Sequence, residues 1–518
     1  MTTTSLWHHA GARLGRTPLT GDATADVCVV GAGMCGILCA YTLAKAGLSV
    51  VLLEAREIGS GETGRTTAHL SNVIDDRFYV LEERHGVEAS RANAGAHGAA
   101  IELLERISTE EKISCDFCRV NGYLFLPPGE RLDILRREYA AAERAGMNCE
   151  MIERAPSWDS GPCLVFPNQG QFHPLRFLDG AARAAERLGV RIHTGTRVTA
   201  IEEKPLRVRT DRSFAVEARA IVLATNTPIV DKITIHSKQV PYRTYAFAAR
   251  LPVGAVEKAL YWDTSETPGD TGGAYHYVRL AETVSDPTGE REEVIIVGGS
   301  DHHTGEGEEV PERWDRLEAW ARARWPMIGD VLYRWSGQVF EPADNMAYIG
   351  KNPIGPEGVF VATGDSGMGM THSAIAALMM PSLVRGEAHE WSGVFDPSRK
   401  ATHALGEFLG ANAKVAGHFA EWLGAGTDIE SIAPGEGAVV RRGVKMLAVF
   451  KDKGGGVHAC SAVCPHAGCL VHWNGLEQMW ECPCHGSRFE ATGKVIGGPA
   501  NKDLDPVQAP TEAEPTGG

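Results

Sequence analysis

The chain has 518 residues, and its 66 acidic and 51 basic side chains give a formal net charge of −15 at pH 7. This acidic balance argues against a nucleic-acid-binding protein and against a protein that binds anionic membrane surfaces. Hydrophobic residues make up 43% of the chain and charged residues 23%, as in ordinary globular proteins. Because a chain of this length exceeds one simple core, the sequence predicts two or three domains.

The N-terminal region predicts neither a secretory signal nor a membrane span. Its first residues, MTTTSLWHHAGARLGRTPLTGD, lack a charged segment followed by an apolar one. The longest apolar run, residues 27–44, is long enough to suggest a membrane helix. Glycines interrupt this run and Lys45 follows it, which favours a strand, a turn and a helix instead. We therefore expect a cytoplasmic protein.

A glycine-rich turn is the first motif that predicts chemistry. Gly31, Gly33 and Gly36 form a GxGxxG pattern between an apolar strand and an Ala/Leu-rich helix. Glu54 closes the next strand, at the distance expected for an acid that binds ribose hydroxyls. The glycines permit a tight turn, a close approach of pyrophosphate to the backbone, and packing of helix on strand. This context favours a dinucleotide site over a packing turn, without distinguishing FAD from NAD.

Two later regions repeat this alternation of strands and helices. Strand-forming segments at 189–203 and 218–226 follow a helix, and residues 357–387 predict a strand, a glycine turn and a helix. The pattern predicts a doubly wound α/β domain with an inserted α+β substrate domain. We place this unit at 1–395, with doubly wound segments at about 20–75, 176–234 and 335–395 and inserted segments at about 76–175 and 235–334.

Three of these segments carry a family resemblance. GSGETGRTTAHLS (59–71), RVTAI (197–201) with IVLATN (221–226), and VFVATGDSGMGMTHS (359–373) resemble the D-amino-acid-oxidase-like family of FAD enzymes. The resemblance covers about residues 20–395 and implies a glutathione-reductase-like FAD domain. By this likeness, Val198 would contact the adenine, Thr66 and Thr67 would lie near the phosphates or flavin, and the flavin and its ribityl chain would be lined by Gly364, Asp365, Gly367 and Met368.

The same resemblance implies the substrate class, an amine or amino acid. Thr66 stands where some members have a histidine linked to the flavin, so we expect non-covalent FAD. A second GxGxxG for a nicotinamide is missing from the sequence, which favours an organic electron donor. The candidate substrate contacts are Arg243, Tyr245, Tyr275, Tyr277 and His302. The alternative to substrate contact is packing in a core for the tyrosines and a position on the surface for the arginine.

The C-terminal region changes in composition. Residues 396–429 predict a helical linker, and from about 430 the chain has short strand-like pieces with many Gly, Cys and His residues. Two cysteine–histidine pairs lie in this region: Cys464 with His466, and Cys482 with His485. Two thiolates and two imidazoles suit either a zinc site or an iron–sulfur centre. An additional cysteine in each half and a later GGPAN segment (497–501) favour the iron–sulfur centre.

CPHAGC, CPCHGS and GGPA resemble the Rieske [2Fe–2S] domain over about residues 430–510. By this resemblance, Cys464 and Cys482 would bind one iron, and His466 and His485 would bind the other. Cys469 and Cys484 would form the disulfide that joins the two cluster loops. The final residues, 511–518, predict a disordered tail.

Together these features predict a dehydrogenase that converts two-electron into one-electron transfer. An amine or amino acid would reduce FAD, and the cluster would pass electrons to a one-electron acceptor, either a protein or a quinone. One alternative is an oxidase that uses O₂ and has a structural or redox-sensing Rieske domain. Another is an electron-transfer reductase without a metabolite substrate.

Overall fold

The computed structural model describes residues 3–10, 15–229, 234–265, 275–284, 291–306, 311–400, 405–424 and 426–508. The tail predicted at 511–518 lies outside these ranges. Within them, no helix combines the length and the hydropathy that crossing a membrane requires.

Strands and helices alternate along the first three-quarters of the chain. The strands are β1 (Ala23–Val30), β2 (Val50–Leu53), β3 (His69–Leu70), β4 (Cys118–Phe125), β5 (Glu150–Ile152), β6 (Cys163–Gln171), β7 (Arg191–His193), β8 (Val198–Glu202), β9 (Arg207–Thr210), β10 (Ala215–Leu223), β11 (Gln239–Leu251), β12 (Leu260–Asp263), β13 (His276–Val284), β14 (Arg291–His303), β15 (Val331–Pro342), β16 (Tyr348–Lys351) and β17 (Val359–Thr363). The helices are α1 (Met34–Lys45), α2 (Phe78–His85), α3 (Val87–Glu110), α4 (Leu132–Arg144), α5 (Pro174–Arg187), α6 (Glu312–Arg324) and α7 (Gly369–Val384).

The last quarter consists mainly of short strands. They follow α8 (Leu405–His418) and are β18 (Gly437–Arg442), β19 (Lys445–Lys451), β20 (Val457–Ser461), β21 (His472–Asn474), β22 (Met479–Glu481), β23 (Arg488–Glu490) and β24 (Val495–Gly497). Short 3₁₀ helices lie at Leu6–Ala10, Glu62–Gly64, His236–Lys238, Phe419–Leu423 and Ile429–Ser431.

The first sheet holds the predicted dinucleotide motif. Its strands run in the order β16-β17-β10-β1-β2-β7, all parallel except β16, and the hairpin of β8 and β9 extends from β10. Helix α1 packs against α5 and α7 over this sheet. Because β1 and β2 pair Val30 with Leu53, Gly31 and Glu54 begin neighbouring loops at one carboxyl edge. Ligands of doubly wound sheets bind at this edge.

The second sheet forms the inserted domain. Its order is β15-β11-β14-β13-β12-β4-β6-β3, with β5 beside β6, and only the β4–β12 pair is parallel. Side chains of β11 alternate between the two faces. Tyr245 and Phe247 pack into a core with Trp314 of α6, whereas Thr244 and Ala246 line a cavity. The two-residue period of the strand therefore decides which residues meet a ligand.

The C-terminal domain is small and all-β. β18-β19-β20 form one antiparallel sheet and β21-β22-β23-β24 form another. Its core contains Trp480, Phe489 and Val471 together with several cysteines. The predicted fold class is thus confirmed: a doubly wound α/β domain, an inserted α+β domain and a small all-β domain.

Buried ion pairs join the C-terminal domain to the first two sheets. The most buried pair is Arg243 of β11 with Glu481 of β22, whose side chains are 0% and 1% exposed. Two neighbouring pairs belong to the same network: Arg65 with Glu477 (Nη1 to Oε2, 3.1 Å) and Arg488 with Glu62. Removing charges from water costs several kcal/mol for each ion, so each charge depends on its partner.

We expect Arg243→Met to destabilise the docked arrangement by about 3–5 kcal/mol, because Glu481 would remain buried without its partner. The double variant Arg243→Met/Glu481→Leu should recover most of this loss, since it removes both charges. Chemical denaturation and limited proteolysis measure the effect. Arg131→Met, which breaks an exposed pair with Asp133, is the matched control and should change neither readout. Equal stability of the Arg243→Met and wild-type proteins would contradict the prediction.

Candidate functional site

The glycine turn after β1 has no space for side chains. Gly31 has a φ of +101°, and a Cβ there would lie 2.5 Å from the carbonyl oxygen of Ala224. A Cβ on Gly36 would lie 1.8 Å from the carbonyl oxygen of Gly31. Gly33 faces the hydroxyl of Thr63, which accepts a hydrogen bond of 3.0 Å from the amide of Met34. The turn therefore presents bare backbone at the N-terminus of α1, as a pyrophosphate requires.

Glu54 is held beside this turn by backbone hydrogen bonds. Its Oε2 accepts from the amide of Ala32 and its Oε1 from the amide of Arg56, each at 2.8 Å. The carboxylate faces the same cavity as Gly31 and Gly33. Glu54 thus has the position and the chemistry to bind a ribose.

One cavity of about 310 Å³ extends from the glycine turn to the second sheet. Most of the predicted FAD contacts lie on its wall: Gly31, Gly33, Glu54, Thr66, Thr67, Val198, Asp365, Gly367 and Met368. Gly36 and Gly364 lie behind the wall, where they allow close packing. A Cβ on Gly364, which has a φ of +72°, would lie 2.9 Å from Cγ of Pro342.

The cavity also receives the N-terminus of α7. Gly369 and Met370 at its first turn lie on the wall, and the first turn contains no acidic residue. A helix N-terminus favours negative charge, which suits a reduced flavin. Burial raises the pKa of Asp365 to about 6, and no described residue donates a hydrogen bond to its Oδ1. The glycine cradle, Glu54 and this helix end together fit FAD.

The opposite end of the cavity lies against the second sheet. Tyr275 and Tyr277 line it, and Tyr277 exchanges a hydrogen bond of 2.7 Å with Thr244. Tyr275 donates a hydrogen bond of 2.5 Å to Asp75. Asp301 also lies here, and burial raises its pKa to about 7. This end is polar, enclosed and acidic.

The other predicted substrate contacts lie elsewhere in the structure. Tyr245 is on the far face of β11, where its hydroxyl lies 3.0 Å from Nε2 of His302. Arg243 is in the ion pair with Glu481. Arg243, Tyr245 and His302 do not lie on the cavity wall that Tyr277 lines. The reason is that side chains alternate between the two faces of a strand.

Besides Glu62, sequence reasoning missed three acids on the wall at the end against the second sheet: Asp75, Asp301 and Glu341. Each of these acids follows or interrupts an apolar segment, at SNVIDD, IIVGGSD and GQVFEP. This placement was the one feature of the sequence that could have pointed to them. A buried strand end with an acid resembles an ordinary surface turn in the sequence, because burial of the acid depends on distant elements.

The cysteine and histidine pairs of the C-terminal domain meet on two loops. The rings of His466 and His485 lie 4.9 Å apart at 88°. A hydrogen bond with Cys482 lowers the pKa of the Cys464 thiol to about 7, and the backbone amide of His466 also favours its thiolate. Burial lowers the pKa of His485 to about 3, and no described residue bonds its Nδ1. A Cys464 thiolate and a neutral His485 imidazole with an open Nδ1 fit ligands of a Rieske cluster.

A disulfide joins the two loops. It links Cys469 and Cys484, as the resemblance implied. The sulfur of Cys482 lies within 4.8 Å of both, but cysteines in a disulfide are not available as thiolate ligands. The candidate cluster ligands on these loops therefore stay the four predicted residues, Cys464, His466, Cys482 and His485.

His236, which is 2% exposed, lies between the two sites. Its ring lies 4.8 Å from that of His466 and 5.9 Å from that of His485. Nδ1 of His236 lies 3.2 Å from the hydroxyl of Thr227, which is on the cavity wall. The C-terminal domain itself completes this wall with Arg488, Ile496, Gly497, Gly498, Ala500 and Asn501.

Comparison with known proteins gives a family match for each of the two parts of the chain that carry these sites. The family model described as FAD dependent oxidoreductase matches residues 26–383, and that of the Rieske [2Fe-2S] domain matches residues 425–508. The chain is 30% identical over 496 residues to “Putative Rieske 2Fe-2S iron-sulfur protein YhfW” of Bacillus subtilis (strain 168), covering 94% of each chain. It is 26% identical over 386 residues to gamma-glutamylputrescine oxidoreductase of Escherichia coli (strain K12), covering 72% of this chain and 86% of the relative. The crystal structure of glycine oxidase from Geobacillus kaustophilus shares the fold, with a TM-score of 0.57, 18% identity, and coverage of 73% of this chain and 99% of that one.

We expect Gly36→Ala to abolish FAD binding or folding of the first domain, because its Cβ would collide with the carbonyl oxygen of Gly31. The flavin absorbance of the purified protein measures the loss. Gly95→Ala, in the middle of α3 with no atom within 4 Å of the new Cβ, is the control. It should retain FAD and gain up to about 1 kcal/mol of stability. A yellow, fully loaded Gly36→Ala protein would refute the packing argument.

The raised pKa of Asp301 predicts a pH dependence of stability. Below its folded pKa of about 7, the native state holds a proton that the unfolded state has released, so stability falls as pH rises from about 4 to 7. Asp301→Asn removes this contribution. The free energy of unfolding of the variant, relative to wild type, should therefore increase by up to about 1.4 kcal/mol per pH unit and level off above pH 7. Denaturant titrations between about pH 5 and pH 8 test this, and parallel pH profiles would contradict it.

Proposed function

Because the chain belongs to the FAD-dependent oxidoreductase family and carries a C-terminal Rieske domain, we propose that it oxidises an amine or amino acid and passes the electrons to a one-electron acceptor through the cluster. When bound, FAD accepts two electrons as a hydride, whereas a Rieske cluster accepts one electron at a time. The two groups in one chain would convert between these two forms of transfer.

The proposed FAD contacts are those on the cavity wall. Gly31 and Gly33 would admit the pyrophosphate, and Glu54 would bind the ribose. Val198 would contact the adenine, Thr66 and Thr67 the phosphates or flavin, and the loop of Gly364, Asp365, Gly367 and Met368 the flavin and its ribityl chain. Cys464, His466, Cys482 and His485 would hold the cluster.

The observation that carries the proposal is the position of His236 between the two sites. It contacts both histidines of the predicted cluster and approaches Thr227. The hydroxyl of Thr227 accepts from Nε2 of Gln239, and Oε1 of Gln239 accepts from Thr363, each at 3.2 Å. Thr363 lies on the cavity wall. This continuous set of contacts supports electron exit through the C-terminal domain.

The docked arrangement of the domains supports the same route. Gln338 donates a hydrogen bond of 3.0 Å to the carbonyl of Gly486, the residue after His485. Arg197 donates one of 3.0 Å to the carbonyl of Val495. Together with the buried ion pairs, these bonds favour a Rieske domain that stays against the cavity over one that swings away.

The substrate class follows from the relatives. A gamma-glutamylputrescine oxidoreductase and a glycine oxidase are named for amine and amino acid substrates. Among the predicted substrate contacts, Tyr275 and Tyr277 line the cavity and are the ones we retain. We place the reaction in the cytoplasm, with a protein or a quinone as the acceptor.

An anaerobic titration of the purified protein with amines and amino acids tests this function. A substrate should bleach the flavin absorbance, and the EPR signal of a reduced Rieske cluster should then appear. If the flavin bleaches while the cluster stays oxidised with excess substrate, the cluster is not the exit, and an oxidase that uses O₂ is the better description. If NADH bleaches the flavin rapidly and no amine does, the protein is a reductase.

We expect His236→Leu to slow cluster reduction relative to flavin bleaching by about tenfold or more, equivalent to at least about 1.4 kcal/mol in the barrier. Stopped-flow absorbance follows the flavin, and freeze-quench EPR follows the cluster. His458→Leu, a change at a half-exposed histidine of the C-terminal domain, is the control and should leave the delay unchanged. The intensity of the EPR signal after chemical reduction shows whether the cluster is intact. An intact cluster that fills at the wild-type rate in His236→Leu would exclude this route.

A further inference from the structure

The end of the main cavity that lies against the second sheet carries several carboxyl groups, of which Asp75, Asp301 and Glu341 are partly exposed to the cavity. Asp75, Asp301 and Glu341 line it, and Asp76, only 9% exposed, follows Asp75 directly. Asp75 lies between β3 and α2, Asp301 lies on β14, and Glu341 lies on β15. Three separate elements therefore bring acids to one chamber, which we call the acidic chamber and define by Asp75, Asp301 and Glu341.

Short hydrogen bonds orient the acids of this chamber. Glu341 accepts a hydrogen bond of 2.5 Å from Ser366, and Asp75 accepts one of 2.5 Å from Tyr275. A Cβ on Gly367 would lie 2.9 Å from Oδ2 of Asp75. Asp75 and Glu341 thus flank the loop that leads into α7, where the acidic chamber adjoins the part of the cavity proposed for the flavin.

Cations are distributed unequally along the cavity. The arginines of the described wall, Arg56, Arg65, Arg197 and Arg488, lie around Glu54, Glu62 and Val198. Arg77, the closest arginine to Asp75, donates to the carbonyl oxygen of Asp263. Oδ1 of Asp301 is buried and accepts no hydrogen bond from any described residue. The acidic chamber therefore has unused acceptors and, on its described wall, no arginine or lysine.

The pKa values of the chamber agree with this charge imbalance. Burial, together with Asp76 and Asp75, raises the pKa of Glu341 well above its usual range. Burial and the neighbouring Asp75 also raise the pKa of Asp76 to about 7. Burial has the largest effect on these pKa values and outweighs the opposing effects of Arg77 on Asp75 and Asp76 and of Arg313 on Asp301. An ammonium ion in contact with the carboxyl groups would favour their ionised form.

We infer that the acidic chamber selects a diamine or polyamine, whose second ammonium group pairs with Asp301 and its neighbouring acids. The inference rests on the proposed function and narrows its substrate class. An α-amino acid would bring its own carboxylate into a chamber that already holds three acids. The described wall offers no arginine there to bind that carboxylate.

Three ligands of equal length test the inference: a four-carbon α,ω-diamine, the corresponding monoamine and the corresponding ω-amino acid. Calorimetric titration of the dithionite-reduced holoenzyme measures binding without turnover. The diamine should bind about tenfold more tightly than the monoamine, and the amino acid should bind most weakly. Asp301→Asn, and independently Glu341→Gln, should reduce the preference for the diamine by about tenfold. Asp116→Asn, which changes an exposed acid paired with Arg176, should retain it.

The outcomes separate this inference from the proposed function. If the monoamine or the amino acid binds as tightly as the diamine, or if both chamber variants keep the preference, the chamber does not select dications. If an amino acid then bleaches the oxidised flavin, the proposed function stands without the inference. If no amine or amino acid bleaches it, the proposed function fails as well.

Discussion

The buried charges between β11 and β22 determine how the three domains are arranged. Arg243 and Glu481 have almost no contact with water, and their neighbours include Glu477 and Arg488. Burial by itself would raise the pKa of Glu477, but Arg65 and Arg243 hold it below its usual range. In the docked arrangement each of these buried charges depends on its partner from the other domain, because loss of one partner would leave the other buried alone. Docking in turn closes the cavity wall and brings His236 to the predicted cluster.

The cavity is electrostatically divided, and this division gives its two ends different chemistry. Arginines and the N-termini of α1 and α7 surround the dinucleotide end, where phosphates and a reduced flavin carry negative charge. Acids surround the other end, where an amine would bring positive charge. Both ends belong to one cavity, so the two parts of a bound ligand pair would meet surroundings of opposite charge.

Local motifs made most of the fold and both cofactor sites predictable. The turn at Gly31 and the acid at Glu54 could be predicted because parallel strands end at a common edge. The cysteines and histidines of the C-terminal domain could be predicted because ligand spacing is local. The substrate contacts could not be predicted in this way. Tyr245 and Tyr277 are equally plausible in sequence, yet strand alternation and pairing place one in a core and the other on the cavity wall.

The sequence by itself determined the dinucleotide motif, the candidate metal ligands and the order of the two family domains, because each depends on residues close together in the chain. Only the tertiary structure decided that Arg243 joins two domains and that His236 lies between the two sites. It also decided that Asp75, Asp301 and Glu341 share a chamber. These relations join residues that are separated by tens to hundreds of positions in the chain. A charged side chain becomes buried only when distant elements pack around that side chain, and its burial is what changes its chemistry.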